Sequence, residues 1–135
     1  MYLVDTSVWV NYIRGVDMPV VGFLDELLSI PAATGINDQI YLEILQGARD
    51  EAAFRKFQRY FATQRFYDFE NSRKSHEAAA AVYFQARKNG VTIRSSIDCL
   101  IAQCALEHRL ILLHQDRDFI GLSRIVPKLK QQNFF

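Results

Sequence analysis

Apolar residues follow two rhythms along this chain. Short apolar runs at residues 2–4, 31–34 and 110–114, with an alternating run at 65–69, read as strands. Longer stretches keep their apolar residues on one helical face: 7–14, 20–29, 37–46, 50–62, 72–89 and 96–108. The ends of these stretches are punctuated. Thr6 or Ser7 supplies an N-cap for the first helix, and Gly15, Gly47 and Gly90 mark stops. The last segment has no clear period, and residues 133–135 are expected to pair on a sheet edge. Strands separated by helices predict an α/β fold, a single domain over residues 1–135. Its central sheet is expected to be mostly parallel and flanked by helices on both faces. In such a sheet, ligands bind beyond the carboxyl ends of the strands, so the chemistry is sought there.

Composition narrows the picture. Half of the 135 residues are hydrophobic, enough for a core, and there is no low-complexity tract or linker. The net charge of +1 lacks the strongly basic balance that nucleic-acid binders often carry, so bulk charge does not point to RNA. No segment approaches the length of a membrane span. The start lacks the basic and long apolar regions of a signal peptide, so a soluble cytoplasmic protein is expected. Cys99 and Cys104 stand five apart on a helical run and point in different directions, which predicts small core residues, not a disulfide or shared metal site.

Candidate chemistry rests on acids. Asp5 follows the first strand directly and Asp116 follows the strand at 110–114 by two residues, so both lie at carboxyl ends. Each fits a turn or helix cap as well as a site. Glu43 shares a helical face with Ile36, Ile40, Ile44 and Gly47, which turns a carboxylate toward the sheet. Buried charge needs a partner, here either an arginine or a metal. Asp98 opens a helix on the side of Ile101, Ala102 and Ala105; it fits either a capping box with Ser95 or an inward acid favoured by the helix N-terminus. If the four acids share one pocket they repel one another, and a hard divalent cation removes that conflict. An all-oxygen set suits Mg²⁺ or Mn²⁺ over Zn²⁺. His76, His108 and His114 show no paired ligand spacing, and neither a Gly-rich phosphate loop nor a Gly-x-Ser-x-Gly elbow is present. A receiver-type Mg²⁺-binding module would need an acidic pair after its first strand and a late lysine, and a dehalogenase-type phosphotransferase would need Asp-x-Asp where Asp5-Thr6-Ser7 stands.

These segments, taken in order, resemble a known family. Val4-Asp5-Thr6-Ser7-Val8-Trp9, Tyr41-Leu42-Glu43-Ile44-Leu45, Ser96-Ile97-Asp98-Cys99-Leu100-Ile101-Ala102 and Leu112-Leu113-His114-Gln115-Asp116-Arg117-Asp118-Phe119 are similar to PIN-domain proteins, in particular the VapC-type toxins of bacterial toxin–antitoxin pairs. The resemblance spans essentially the whole chain. It implies a PIN fold, Mg²⁺- or Mn²⁺-dependent cleavage of RNA (tRNA among the candidates), a homodimer, and an antitoxin partner that covers the site. By position it makes Asp5, Glu43, Asp98 and Asp116 catalytic residues and metal ligands. Asp118 is a further candidate ligand or else a cap of the following helix. Thr6 and Ser7 are candidate substrate-orienting hydroxyls or caps. Lys88 and Arg94, flanking Gly90, are candidate RNA phosphate contacts or solvated surface. Trp9, Tyr12, Phe54, Phe57 and Tyr60 are expected in the core or on a dimer or antitoxin surface. The leading expectation is an endoribonuclease toxin. Its alternatives are a housekeeping RNA-processing nuclease and a non-catalytic PIN module that binds RNA or a partner.

Overall fold

A computed structural model describes all 135 residues. In chain order the elements are β1 Tyr2–Val4, α1 Thr6–Ile13, α2 Pro19–Leu28, β2 Thr34–Ile36, α3 Asp38–Gln46 and α4 Glu51–Phe61. They continue as β3 Arg65–Phe66, α5 Ser72–Lys88, α6 Ser96–Glu107, β4 Ile111–Leu113, α7 Arg117–Leu122 and β5 Gln131–Gln132. The five strands form one sheet in the order β3-β2-β1-β4-β5, and every pairing is parallel. The chain steps outward from β1 to β3, then crosses back to add β4 and β5 on the other side of β1. With right-handed crossovers, that reversal places α1–α4 on one face and α5–α7 on the other. Helices of each group pack on one another, α1 on α2 and α3, α3 on α4, α5 on α6, and α6 on α7.

The central strands are covered on both faces. Leu3, Val4, Ile36, Leu112 and Leu113 are all fully buried. Trp9 is the largest buried side chain, and it meets Tyr12, Tyr60 and Phe61 edge-on at 5.8, 6.2 and 4.8 Å between ring centroids. Trp9 is therefore core, while Phe54 and Tyr60 remain exposed. Cys99 and Cys104 are buried and free, and Cys104 Sγ reaches the Tyr67 carbonyl at 3.5 Å.

Three strands depart from the apolar pattern. β2 begins at Thr34 and runs to Ile36, later than the expected 31–34. Pro31 has no N–H for a ladder, and Ala32 sits at φ 59°, so these residues make a turn. β3 is only Arg65–Phe66. The edge strand is Gln131–Gln132, not 133–135. Its pairing is set by backbone register with Leu112 and Leu113 and by amide side chains, which no hydrophobic period marks. The six-residue α7 is likewise too short for a helical period to announce.

Gly35 sits in β2 between β1 and β3, where the chain leaves no space for a side chain. A Cβ there would run into the Tyr67 ring and lie 2.8 Å from the Arg65 carbonyl. Gly35→Ala should therefore destabilise the fold by about 2–3 kcal/mol, as overpacking does, measured as a lower midpoint in urea denaturation.

Candidate acidic site

The reversal in strand order puts the exits of β1 and β4 side by side, and two acids stand at those exits. Asp5 ends β1 and Asp116 follows β4; each is an N-cap of the helix that starts there. The Asp5 N–H donates to the Leu113 carbonyl at 2.9 Å, which locks the two exits together. Asp5 Oδ2 accepts from the Ser7 N–H at 2.9 Å and from Ser7 Oγ at 2.6 Å. Ser7 Oγ in turn accepts the Gln115 N–H at 2.9 Å, so one hydroxyl staples the first acid to the loop that carries Asp116.

α3 and α6 bring the other two acids. Glu43 is half-buried on α3, and its Oε1 accepts from Thr6 Oγ1 at 2.8 Å. Its partner is a hydroxyl, not an arginine. Asp98 lies in the first turn of α6, 7% exposed. Ser95 caps α6 through the Ile97 N–H at 3.2 Å, and no protein donor bonds the Asp98 carboxylate. The capping-box explanation of Asp98 therefore does not hold.

The acids share an electric field. Burial is the main reason that the Asp98 carboxyl is pushed up to about 8, and the charges of Asp5, Asp116, Glu43 and Asp118 add to it. Asp5 is pushed up to about 6 by burial, against the Ser7 hydrogen bonds that favour its ionised form; Glu43 and Asp116 add a little more. Glu43 is raised by burial first and opposed by the Thr6 bond. Asp116 Oδ1 accepts the Asp118 N–H at 2.9 Å and Arg94 Nη2 at 3.1 Å.

Thus in Asp5, Glu43 and Asp116 one oxygen is held by protein donors, and the second has no protein partner. Both oxygens of Asp98 are free of protein donors. As they stand, no three of these groups are placed to hold a metal ion together. All the available donors are carboxylate oxygens, the set that suits a hard divalent ion, and a cation would offset the burial and the smaller mutual repulsion that raise Asp5 and Asp98.

The remaining candidates sort clearly. Thr6 and Ser7 are brought to the acids as tethers; neither is the N-cap of α1, a place that Asp5 takes because its carboxylate accepts the Ser7 N–H. Asp118 is 12% exposed at its side chain, and its Oδ2 accepts the Arg94 N–H at 3.0 Å and Arg94 Nε at 3.1 Å. Arg94 is 71% exposed, and its guanidinium pairs with Asp116 and Asp118. Lys88 is exposed in the last turn of α5 and is not paired with any of the acids. One residue that the sequence pattern left as a mere strand end is built into the site. His114 is fully buried, and its Nδ1 accepts the Asp116 N–H at 3.1 Å. Nε2 therefore carries the proton and donates to Gln131 Oε1 at 2.8 Å; burial lowers the pKa of the ring and keeps it neutral. The order His-x-Asp after an apolar strand is its sequence signal.

Beside Glu43 a groove of about 740 Å³ runs between α1, α3 and α4. Val10, Ile13 and Phe57 give it an apolar wall, and Arg14, Arg49 and Lys56 line it with positive charge.

The PIN domain family matches residues 2–125. Ribonuclease VapC11 of Mycobacterium tuberculosis (strain ATCC 25618 / H37Rv) is 36% identical over 126 residues, 93% of each chain. Among solved structures, VapBC2 from Rickettsia felis bound to a promoter DNA fragment superposes with a TM-score of 0.75 at 19% identity, covering 99% of this chain and 98% of that one. VapBC-1 from nontypeable Haemophilus influenzae gives 0.73 at 17% identity, covering 98% and 96%.

The raised carboxyls make a stability prediction for protein stripped of metal. Asp98 keeps its proton up to about pH 8 when folded, but loses it near 4 when unfolded. The folded state then binds more protons over that interval, so the contribution of Asp98 to stability falls as pH rises through it. Asp98→Asn should therefore match the parent near pH 4 and exceed it at pH 8, by about 2 kcal/mol. Urea melts in EDTA at the two pH values measure this; an advantage that does not grow with pH would refute it.

Proposed function

This chain belongs to the PIN-domain family, and we propose that it is a Mg²⁺- or Mn²⁺-dependent endoribonuclease serving as the toxin of a toxin–antitoxin pair. The observation that carries the reading is the half-tethered acid set. Asp5, Glu43 and Asp116 each present one oriented, open oxygen around Asp98, which no protein donor neutralises. Such a set is costly to keep unless it holds a cation. The 36% identity to a protein named a ribonuclease supports RNA as the substrate class.

A divalent ion bound there would act as a Lewis acid on the phosphodiester and make a water molecule a competent nucleophile at neutral pH. The chain supplies the rest. Ser7 and Thr6 fix the rotamers of Asp5 and Glu43 before substrate arrives. His114 and the Asp118 N–H hold the turn that presents Asp116. One of the four carboxylates is left to take the proton of the attacking water. The groove beside Glu43 is lined by both apolar and cationic residues, which fits an amphipathic antitoxin segment. The likeness to solved VapBC structures supports such a partner. A homodimer, a cytoplasmic location and tRNA as the target belong to the same proposal.

The test is cleavage of total bacterial RNA by purified protein with Mn²⁺, with EDTA and with Asp98→Asn. Discrete fragments should form only with metal. Asp98→Asn should lower the rate by about 10³-fold, the equivalent of about 4 kcal/mol of lost transition-state stabilisation, while remaining folded. Full activity in that variant would remove Asp98 from the site.

A further inference from the structure

We propose that Arg94 is a positioning residue: it aims the open oxygen of Asp116 at the metal site, and Asp118 is the anchor that aims Arg94. This rests on the metal-site reading of the acids above.

The loop before α6 and the turn before α7 are separated by 22 to 24 residues in sequence, yet three bonds join them through Arg94. Nε reaches Asp118 Oδ2, and Nη2 reaches Asp116 Oδ1, both at 3.1 Å. The guanidinium is a rigid fork, so fixing one prong on Asp118 fixes the other. The Arg94 N–H also binds Asp118 Oδ2, at 3.0 Å, so the anchor holds the backbone as well as the side chain. At Asp116, Oδ1 is filled by Arg94 and the Asp118 N–H, and the planar carboxylate then has only Oδ2 to offer a cation.

The place of Asp118 agrees. Its charge acts on Asp98 less than those of Asp5, Asp116 and Glu43 do. Arg94 also brings a positive charge, which would oppose a cation. That charge sits on a side chain 71% exposed, where solvent screens it, whereas the orientation it imposes is not screened. An arginine is needed because a lysine carries the charge but has no fork.

Mn²⁺ titrations by calorimetry on metal-free protein separate the possibilities, using the parent, Arg94→Lys, Arg94→Ala and Asp118→Ala. Arg94→Lys keeps the charge and loses the fork. It should weaken Mn²⁺ binding about tenfold, the usual scale for groups that orient a ligand, with an unchanged melting temperature. RNA cleavage should lose kcat with little change in KM. Asp118→Ala should act likewise, and the double variant Arg94→Lys/Asp118→Ala should be no worse than either single one, because both break one strap. Unchanged Mn²⁺ affinity in Arg94→Lys overturns the proposal. So does tighter binding in Arg94→Ala, which would make Arg94 a competing cation. A raised KM with unchanged Mn²⁺ affinity also overturns it, by making Arg94 a phosphate contact. Additive losses in the double variant would make Asp118 a ligand. If the parent itself binds no Mn²⁺, the metal-site reading falls first and this inference with it.

Discussion

Like charges crowd the carboxyl edge of this sheet, and much of the surrounding structure answers that crowding. Five acids, from Asp5 to Asp118, meet where β1 and β4 end, and two of them are nearly dry. Left alone, they would take up protons or drive their helices apart. Three devices hold them in place. Helix N-termini stand under Asp5, Asp98 and Asp116. Hydroxyls from Thr6 and Ser7 bind one oxygen of two acids. A single arginine ties the outer pair. None of these spans the middle of the cluster, and so the remaining negative charge is directed inward.

The tethers come from outside the acids' own elements. Thr6 on α1 holds Glu43 on α3, and Ser7 on α1 touches the loop after β4. The loop before α6 holds the turn before α7. Site geometry is thereby bound to the packing of the helices on the sheet. A substitution that shifts α1 against α3 would change the relative aim of two acids without touching either one.

How much of this was legible follows from the range of each interaction. β1, the six longer helices and the apolar β4 are local patterns, and the chain states them openly. Asp5 and Asp116 were legible because strand ends can be read, and Glu43 and Asp98 because acids on inward helix faces violate the pattern around them. The start of β2 was obscured by Pro31 and Ala32, which look apolar but turn the chain. β5 was obscured because two glutamines form it. The Arg94 clamp and the Ser7 staple join residues 22 to 108 positions apart, and no spacing rule reaches that far. Arg94 in particular looks like any surface cation until its partners are seen.

The two outermost strands, Arg65–Phe66 and Gln131–Gln132, are each only two residues long. An exposed edge of that length offers almost no unpaired backbone for a foreign strand to extend, and long open edges are what invite runaway aggregation. The sheet is in effect closed to growth at both margins. Most of the surface that a partner could meet is therefore helical.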